Sequence, residues 1–207
     1  NIFTCDFAIK DIELEEEIIG GYKIEDVVSI DHHAPVPRMS KQISSTNLAL
    51  EYIKRYGIAP ENVVAVINHT DCDSVLSIAI IRGILPPDSK FGDAAIAADH
   101  TGEKNEIADL LQSLQDRRSL EYSLTNLKLL LDHKDLDENA KVLLEKRIKD
   151  RERAEELVAE GKFKQIGNVW YTQLDKKIDG GLLPALLPDA MVIILVSPMK
   201  DSDKLEI

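Results

Sequence analysis

Four short apolar runs in residues 1–100 are each followed by acidic side chains, and three of them also by histidine. The side chains are Asp6 after "NIFTC", Asp31, His32 and His33 after "DVVSI", His69, Asp71 and Asp73 after "VVAVIN", and Asp99 and His100 after "AAIAA". Carboxylates and imidazoles without thiolates favour Mn²⁺, with Mg²⁺, Co²⁺ or Zn²⁺ as alternatives. These runs therefore carry the residue types of a divalent-metal site.

Taken singly, each of these side chains has a simpler explanation. An aspartate that follows a strand is usually a helix N-cap or a turn former. His100 taken alone is expected at the surface or behind a ligand rather than on a metal. The coincidence of four clusters favours a common site, because independent helix caps would not gather both acids and histidines. Of the five histidines in the chain, His133 alone lies outside these clusters.

The elements that must position these residues follow from the apolar pattern. Continuous apolar runs at 1–4, 26–30, 63–67 and 94–98 predict strands buried on both faces, in a mostly parallel sheet flanked by helices. Between them, helices are predicted over 44–57 and over 73–83, the latter with Asp73 or Ser74 as N-cap. The fold class is therefore α/β over residues 1–115. Ligands bind at the carboxyl edge of such sheets, where the four clusters would meet.

The rest of the chain predicts two further parts. Residues 116–160 form a helical connector, with one long charged helix over 138–162 that we expect to pack on a domain rather than to bind a partner. Residues 161–207 form a smaller α+β unit, with strands over 168–174 and 190–196. The chain starts at Asn1 rather than Met, and we expect this last unit, which selects the substrate, to be incomplete.

The composition limits the partners. The formal net charge is −12, so the surface repels a polyanion, and long duplex DNA is not an expected partner. The two cysteines, Cys5 and Cys72, provide neither a disulfide framework nor a thiolate zinc site, which favours a reducing, cytoplasmic location. Apolar runs such as "AMVIILV" are far shorter than the roughly 20 residues of a membrane helix, so no membrane partner is expected.

The spacing of His69, Asp71 and Asp73 favours two metal ions over one. In an extended segment these side chains point the same way, and the outer two lie roughly 13 Å apart, too far to share one ion. The easier solution is two ions with a bridging carboxylate from a neighbouring strand. Two ions about 3.5–4 Å apart support in-line attack of metal-bound hydroxide at phosphorus. The spacing therefore predicts hydrolysis of a phosphate ester.

These residues resemble the DHH phosphoesterase family, which is named for the tripeptide present here as Asp31, His32 and His33. The family includes single-strand exonucleases, oligoribonucleases, cyclic-dinucleotide phosphodiesterases, and manganese-dependent pyrophosphatases and exopolyphosphatases. "HTDCDS" is similar to its His-x-Asp-x-Asp motif, and Ser44–Thr46 match its Ser-Ser-Thr run. The resemblance covers about residues 1–105 and implies a catalytic domain that holds two Mn²⁺ ions.

The resemblance also implies a role for each residue of the site. The implied metal ligands are Asp6 as the bridge, His32, His69, Asp71, Asp73 and Asp99. The implied catalytic residues are His33, which faces the phosphate, and Asp31, which supports the site. The residues assigned to substrate binding are His33, Arg38, Ser45, Thr46 and His100. An exposed loop cation remains the alternative for Arg38.

The chain departs from the family in two respects. Most members carry the His-x-Asp-x-Asp motif near the N terminus, whereas here it follows the DHH tripeptide and its helix. "IDGGLLP" has two glycines but no histidine, and so does not match the glycine-rich histidine motif of the family's second domain. The ligand set is complete, but the order of its motifs leaves the subfamily open.

The predicted function is hydrolysis of phosphodiester bonds in short oligonucleotides or in linear or cyclic dinucleotides, because an acidic surface disfavours long polymers. The predicted partners are thus a small phosphorylated substrate or a short single-stranded oligonucleotide, with a homodimer as one assembly. Hydrolysis of pyrophosphate or polyphosphate is the alternative activity, although it would call for more converging cations than the tail supplies. A non-catalytic module that binds metal or nucleotide is the alternative of a different class.

Overall fold

The computed structural model describes residues 2–9, 16–33, 42–198 and 205–206, and within them the chain is mixed α/β with six α-helices and two sheets. The strands are β1 (Ile2–Cys5), β2 (Glu16–Ile18), β3 (Gly21–Ile24), β4 (Val27–Ile30), β5 (Val64–Val66), β6 (Lys164–Ile166), β7 (Val169–Gln173), β8 (Val192–Pro198) and β9 (Leu205–Glu206). The helices are α1 (Ser45–Tyr56), α2 (Cys72–Ile81), α3 (Ser89–Ile96), α4 (Glu106–Leu114), α5 (Leu120–Leu131) and α6 (Glu138–Ala159). Over these ranges, every helix is too short or too polar to cross a bilayer.

The first sheet is mixed rather than mostly parallel. Its order is β2-β3-β4-β1-β5, with β1 parallel to both β4 and β5, and with β2, β3 and β4 joined as antiparallel neighbours. The antiparallel pairs arise because β2 and β3 are joined only by Ile19 and Gly20, and Gly20 takes a positive φ of 78° at this tight turn. The three parallel strands remain the part of the sheet that ends near the predicted ligands.

The prediction of a fourth strand at 94–98 was wrong. This segment forms the end of α3, followed by a π-helical turn, Ala97–Thr101, that carries Asp99 and His100. Alanine has the highest helix propensity of all residues, and Asp88 caps α3 by accepting a hydrogen bond from the Lys90 amide. Asp99 therefore comes from a π-turn, a feature that is frequent at functional sites, rather than from a strand end.

The helices that flank the site begin at polar caps. Ser44 caps α1 in a capping box with Asn47, and Gly57 ends the helix, in agreement with the predicted range. Helix α2 is capped by Asp71, whose side chain accepts a hydrogen bond from the Ser74 amide, and not by Asp73 or Ser74 as predicted. All ten residues of α2 are buried, so Asp73 in its first turn is held inside the protein.

The helices predicted as a connector pack on two cores. Helix α5, assigned to the connector, packs on the first unit, where Leu127 is fully buried in the main core. The long charged helix is present as α6, and its Ala154 lies in a second core with Phe163 and Leu182. The smaller sheet has the order β6-β7-β8-β9, and β7 and β8 correspond to the strands predicted from "NVWYTQL" and "AMVIILV".

Candidate metal centre

Asp6 lies at the centre of the acid and histidine cluster. It directly follows β1, and its amide donates a 2.9 Å hydrogen bond to the Ile30 carbonyl of β4. Its φ of 60° lies in the left-handed region, which a non-glycine residue adopts at a cost of about 1 kcal/mol. Its carboxylate accepts hydrogen bonds from Ser45 Oγ (3.1 Å) and Ser74 Oγ (2.8 Å). Two helix N-termini thus fix the side chain that the sequence places after the first strand.

Four candidate metal ligands, one of them an oxygen of Asp6, form a first donor group. The donor atoms of Asp6, His32, Asp73 and Asp99 all lie within 4.8 Å of one another. His32 Nε2 is 3.4 Å from Asp6 Oδ1, 3.6 Å from Asp73 Oδ2 and 3.9 Å from Asp99 Oδ2. Three carboxylates and one imidazole around a common point form a ligand set that suits a divalent cation such as Mn²⁺.

The second donor group contains Asp6, His69 and Asp71, again within 4.8 Å. His69 Nε2 lies 3.3 Å from Asp6 Oδ2 and 2.9 Å from Asp71 Oδ2. His69 Nδ1 contacts the side chain of Asn68, which directs Nε2 toward the acids. The two groups use different oxygens of Asp6 in these contacts, as expected of a carboxylate that bridges two ions.

Asp73 is held by the N-terminus of α1. The amides of Ser45 and Thr46 each donate a 2.7 Å hydrogen bond to its carboxylate, and the carboxylate is fully buried. Both residues are fully buried, and the Ser45 and Thr46 hydroxyls donate to Asp6 and to the Asp73 carbonyl, respectively. These hydrogen bonds orient the candidate ligands. The assignment of Ser45 and Thr46 to substrate binding stays a prediction.

His33 and His69 form the open side of the cluster. Their side chains are 42% and 43% exposed, whereas those of Asp6 and Asp73 are at most 2% exposed. His33 Nδ1 lies 2.7 Å from Asp31 Oδ1, and Asp31 itself is buried. A third donor group, Asp6, His32 and His33, overlaps the first, so His33 also has the position of a ligand. A substrate would reach the cluster from this side.

His100 lies beside the cluster on the π-turn. Its ring meets that of His32 edge-on with 5.5 Å between centroids, and its Nε2 donates a 3.0 Å hydrogen bond to the Ile43 carbonyl. Burial lowers the pKa of His100, and so does the proximity of His32 and His33. His100 thus packs against His32, and its proposed contact with substrate stays a prediction.

Crowding of the carboxylates changes their protonation. Burial, followed by the negative charges of Asp73 and Asp6, raises the pKa of Asp99 to about 9. Burial and the Asp6 charge raise the pKa of Asp73 to about 7. The hydrogen bond with Asp6 raises the pKa of His69 to about 9. Burial opposes ionisation of Asp6, but the adjacent imidazoles of His32 and His69 hold its pKa below its usual range.

A buried nitrogen without a hydrogen-bond partner also indicates that these ligands suit a divalent cation. His32 Nε2 is buried without a hydrogen-bond partner among the described residues, and three carboxylates face it at 3.4–3.9 Å. A buried polar atom of this kind usually has a partner, and a cation between the imidazole and the carboxylates would supply one. Protonation of Asp99 is the alternative way to relieve the like charges, which links its raised pKa to metal binding.

The structure brings together eight of the residues assigned to the site from sequence and a ninth, His100, beside them. The eight are Asp6, Asp31, His32, His33, His69, Asp71, Asp73 and Asp99. Arg38 lies outside the described residues. Ser74 was not assigned to the site from sequence, although its hydroxyl donates a hydrogen bond to Asp6. The available signal was the position of Ser74 in the first turn of a helix, directly after Asp73. This position was interpreted only as that of a helix cap.

Comparisons with models of protein families, with curated proteins and with solved structures find no match. The resemblance to the DHH family therefore stays a prediction based on the motifs themselves.

Proposed function

We propose that this protein is a metal-dependent phosphoesterase that hydrolyses phosphodiester bonds in dinucleotides and very short oligonucleotides, as a rearranged member of the DHH family. The observation that supports this proposal best is the pair of donor groups that share Asp6: His32, Asp73 and Asp99 on one side, and His69 and Asp71 on the other. A shared carboxylate between two mixed carboxylate and imidazole groups is the arrangement used by two-ion phosphate hydrolases.

The ligands would hold two divalent ions, with Mn²⁺ favoured by the donor types. When bound, such ions activate water as the nucleophile and neutralise the charge that develops on the phosphate oxygens. Asp6 would contact both ions, and Ser45 and Ser74 keep its two oxygens oriented toward the two groups. The hydrogen bonds from α1 to Asp73 fix a second ligand before any ion binds.

His33 has the position of a general acid. Asp31 contacts its Nδ1, which leaves Nε2 as the nitrogen available to a substrate at the open side. The same contact fixes the ring orientation, as an acid does for the histidine of a catalytic pair. We therefore assign to His33 the protonation of the leaving oxygen, and to Asp31 the positioning of His33.

The acidic surface supports a short substrate rather than a long polymer. The formal net charge of −12 repels extended polyanions, while two bound divalent ions would make the site locally attractive to one phosphate group. A small phosphodiester is the substrate class that meets both conditions.

Turnover by the full chain with Mn²⁺ tests this proposal. The panel comprises dinucleotides, a cyclic dinucleotide, bis(p-nitrophenyl) phosphate and pyrophosphate, with release of product measured by chromatography or absorbance. We expect hydrolysis of the phosphodiesters and loss of activity with EDTA. The proposal fails if the wild-type protein releases product from no member of the panel.

Asp6→Asn is the first variant to test. Asparagine tolerates the left-handed backbone but cannot bridge two cations, so we expect kcat to fall by at least about a hundredfold. The matched control is Asp93→Asn, an exposed aspartate of α3, which should keep wild-type activity. Wild-type turnover by Asp6→Asn would contradict the proposed role of Asp6.

A further inference from the structure

A groove lies beside His69, one of the two exposed histidines of the cluster. It has a volume of about 420 Å³ and is lined by Ile67, Asn68, His69, Thr70, Arg118 and Leu120. We propose that this groove, here called the His69 groove, binds the nucleoside and the second phosphate that lie beyond the scissile phosphate, with Arg118 as the phosphate-binding residue. The inference rests on the proposed phosphodiesterase function and adds the subsite that would select the substrate.

His69 connects the groove to the chemistry. Its Nε2 faces Asp6 and Asp71, while 43% of its side chain is exposed and forms one wall of the groove. The carboxylates deeper in the cluster are almost fully buried, so a substrate phosphate has access from the side of His69 and His33. A substituent on that phosphate would therefore extend into the space beside His69.

Hydrogen bonds to a backbone carbonyl hold Arg118 at the other wall of the groove. Its amide donates a 3.1 Å hydrogen bond to the Gln115 carbonyl, and Thr70 Oγ1 donates a 3.0 Å hydrogen bond to the same carbonyl. The turn that carries Arg118 is thus tied to the loop that carries His69. Arg118 has a φ of 50° because it ends the 3-10 turn Gln115–Arg117 in the left-handed conformation that is common at helix ends.

The charge of Arg118 is available to a ligand. Among the described residues, its guanidinium makes no hydrogen bond or ion pair, although the chain carries 37 acidic residues and 25 basic ones. It is the one arginine or lysine among the residues that line the groove. A guanidinium binds phosphate through two parallel hydrogen bonds, which suits a terminal phosphate.

The remaining walls suit a nucleoside. Ile67 and Leu120 give apolar surface, while Asn68 and Thr70 add polar groups. Small-molecule sites in proteins have volumes of about 300–1,000 Å³, and the volume of this groove lies within that range. The predicted substrate thus has a second phosphate separated from the scissile one by a nucleoside, as in a 5′-phosphorylated dinucleotide.

Three substrates separate the contributions of the groove. These are 5′-phosphorylated ApA (pApA), ApA without the terminal phosphate, and bis(p-nitrophenyl) phosphate, all assayed with Mn²⁺. We expect the wild-type protein to prefer pApA to ApA by at least about tenfold in kcat/KM, because a charge-assisted hydrogen bond has about that effect. Equal kcat/KM values for pApA and ApA would overturn the inference.

Arg118→Gln tests the residue directly, and Arg117→Gln is the matched control because Arg117 is an exposed neighbour that does not line the groove. For Arg118→Gln we expect KM for pApA to rise at least about tenfold, with kcat on bis(p-nitrophenyl) phosphate within about twofold of wild type. Arg117→Gln should match the wild type on all three substrates. A similar KM for pApA in the two variants would overturn the inference.

A binding measurement keeps the groove testable apart from activity. If the wild-type protein hydrolyses neither these three substrates nor any member of the panel described above, the proposed function fails, and calorimetric titration of pApA then tests the groove alone. Binding at least about tenfold weaker in Arg118→Gln than in Arg117→Gln would support the groove. Equal affinities would overturn it.

Discussion

At the scale of single residues, the proposed two-ion centre depends on Asp6. Its two oxygens face two donor groups, and the hydroxyls of Ser45 and Ser74 fix both oxygens. The residue types and three of the four clusters could be predicted from sequence, because the carboxyl ends of the parallel strands β1, β4 and β5 meet at one edge, whereas Asp99 comes from the π-turn. The positive φ of Asp6 and the contact from Ser74 could not be predicted, because both depend on how α2 packs on β1.

The protonation of Asp99 predicts a pH dependence of the metal-free protein. The pKa values of Asp99 and His69 are raised to about 9 in the fold, above the usual values of aspartic acid and histidine. A group with a raised pKa stabilises the fold while it is protonated, and this stabilisation declines as the pH rises toward the folded pKa. In EDTA we therefore expect Tm to fall between about pH 6 and pH 9.

The variant Asp99→Asn provides the control for this pH dependence. Asparagine keeps the size of the side chain but does not titrate, so the fall in Tm from pH 6 to pH 9 should be smaller than in the wild type. Thermal denaturation followed by circular dichroism in EDTA measures both. A wild-type Tm that is constant or rises over this range would contradict the crowding of carboxylates.

At the scale of elements, α6 positions the turn that carries Asp99. Arg151 is buried and donates to the Gly102 carbonyl (2.7 Å) and to Asp109 Oδ1 (2.7 Å). Arg147 donates to the same oxygen of Asp109 and to Asp179, so α4, α6 and the segment before Gly180 are joined by one charge network. Helix α6, which was predicted to be part of a connector, thus fixes the end of the π-turn.

We predict that Arg151→Met destabilises the protein by about 3 kcal/mol, because it leaves the Gly102 carbonyl without this partner and removes one cation from a buried acid. Urea denaturation measures the loss. In a double-mutant cycle with Asp109→Asn, the combined effect should be smaller than the sum of the single effects, because the side chains are in contact.

Lys149→Met on the exposed face of α6 is the matched control and should change stability by no more than about 0.5 kcal/mol. Equal effects of Arg151→Met and Lys149→Met would contradict the role of the network. Strictly additive effects in the cycle would show that Arg151 and Asp109 are not coupled.

The elements that were predicted correctly have local signals. The polar cap at Ser44 and the glycine at position 57 bound α1, and the apolar runs of β1, β4 and β5 are continuous. The alanine-rich run at 94–98 was mistaken for a strand, because a short apolar run does not distinguish a buried strand from a buried helix. The β2–β3 hairpin was missed because its strands are only three and four residues long, and because β2 (EEI) lacks an apolar run.

At the scale of the whole molecule, the smaller C-terminal unit contacts the first unit at the end of the turn that carries Asp99. A side chain at Gly102 would meet the Gly181 carbonyl at 2.4 Å, so the end of the π-turn and the segment before Leu182 approach closely. The sequence could not predict this contact, because nothing local to "TGE" or "DGG" specifies a partner. The smaller unit therefore helps to define the surroundings of Asp99, as well as having a core of its own.

Manganese binding by the full chain shows directly whether Asp6 joins two ions. The shared carboxylate of Asp6 predicts two Mn²⁺ ions per chain by calorimetric titration, with an exchange-coupled electron paramagnetic resonance signal because the ions would lie about 3.5–4 Å apart. Asp6→Asn should lose the coupling, while Asp93→Asn should keep it. A wild-type protein that binds one uncoupled ion, or none, would contradict the two-ion centre.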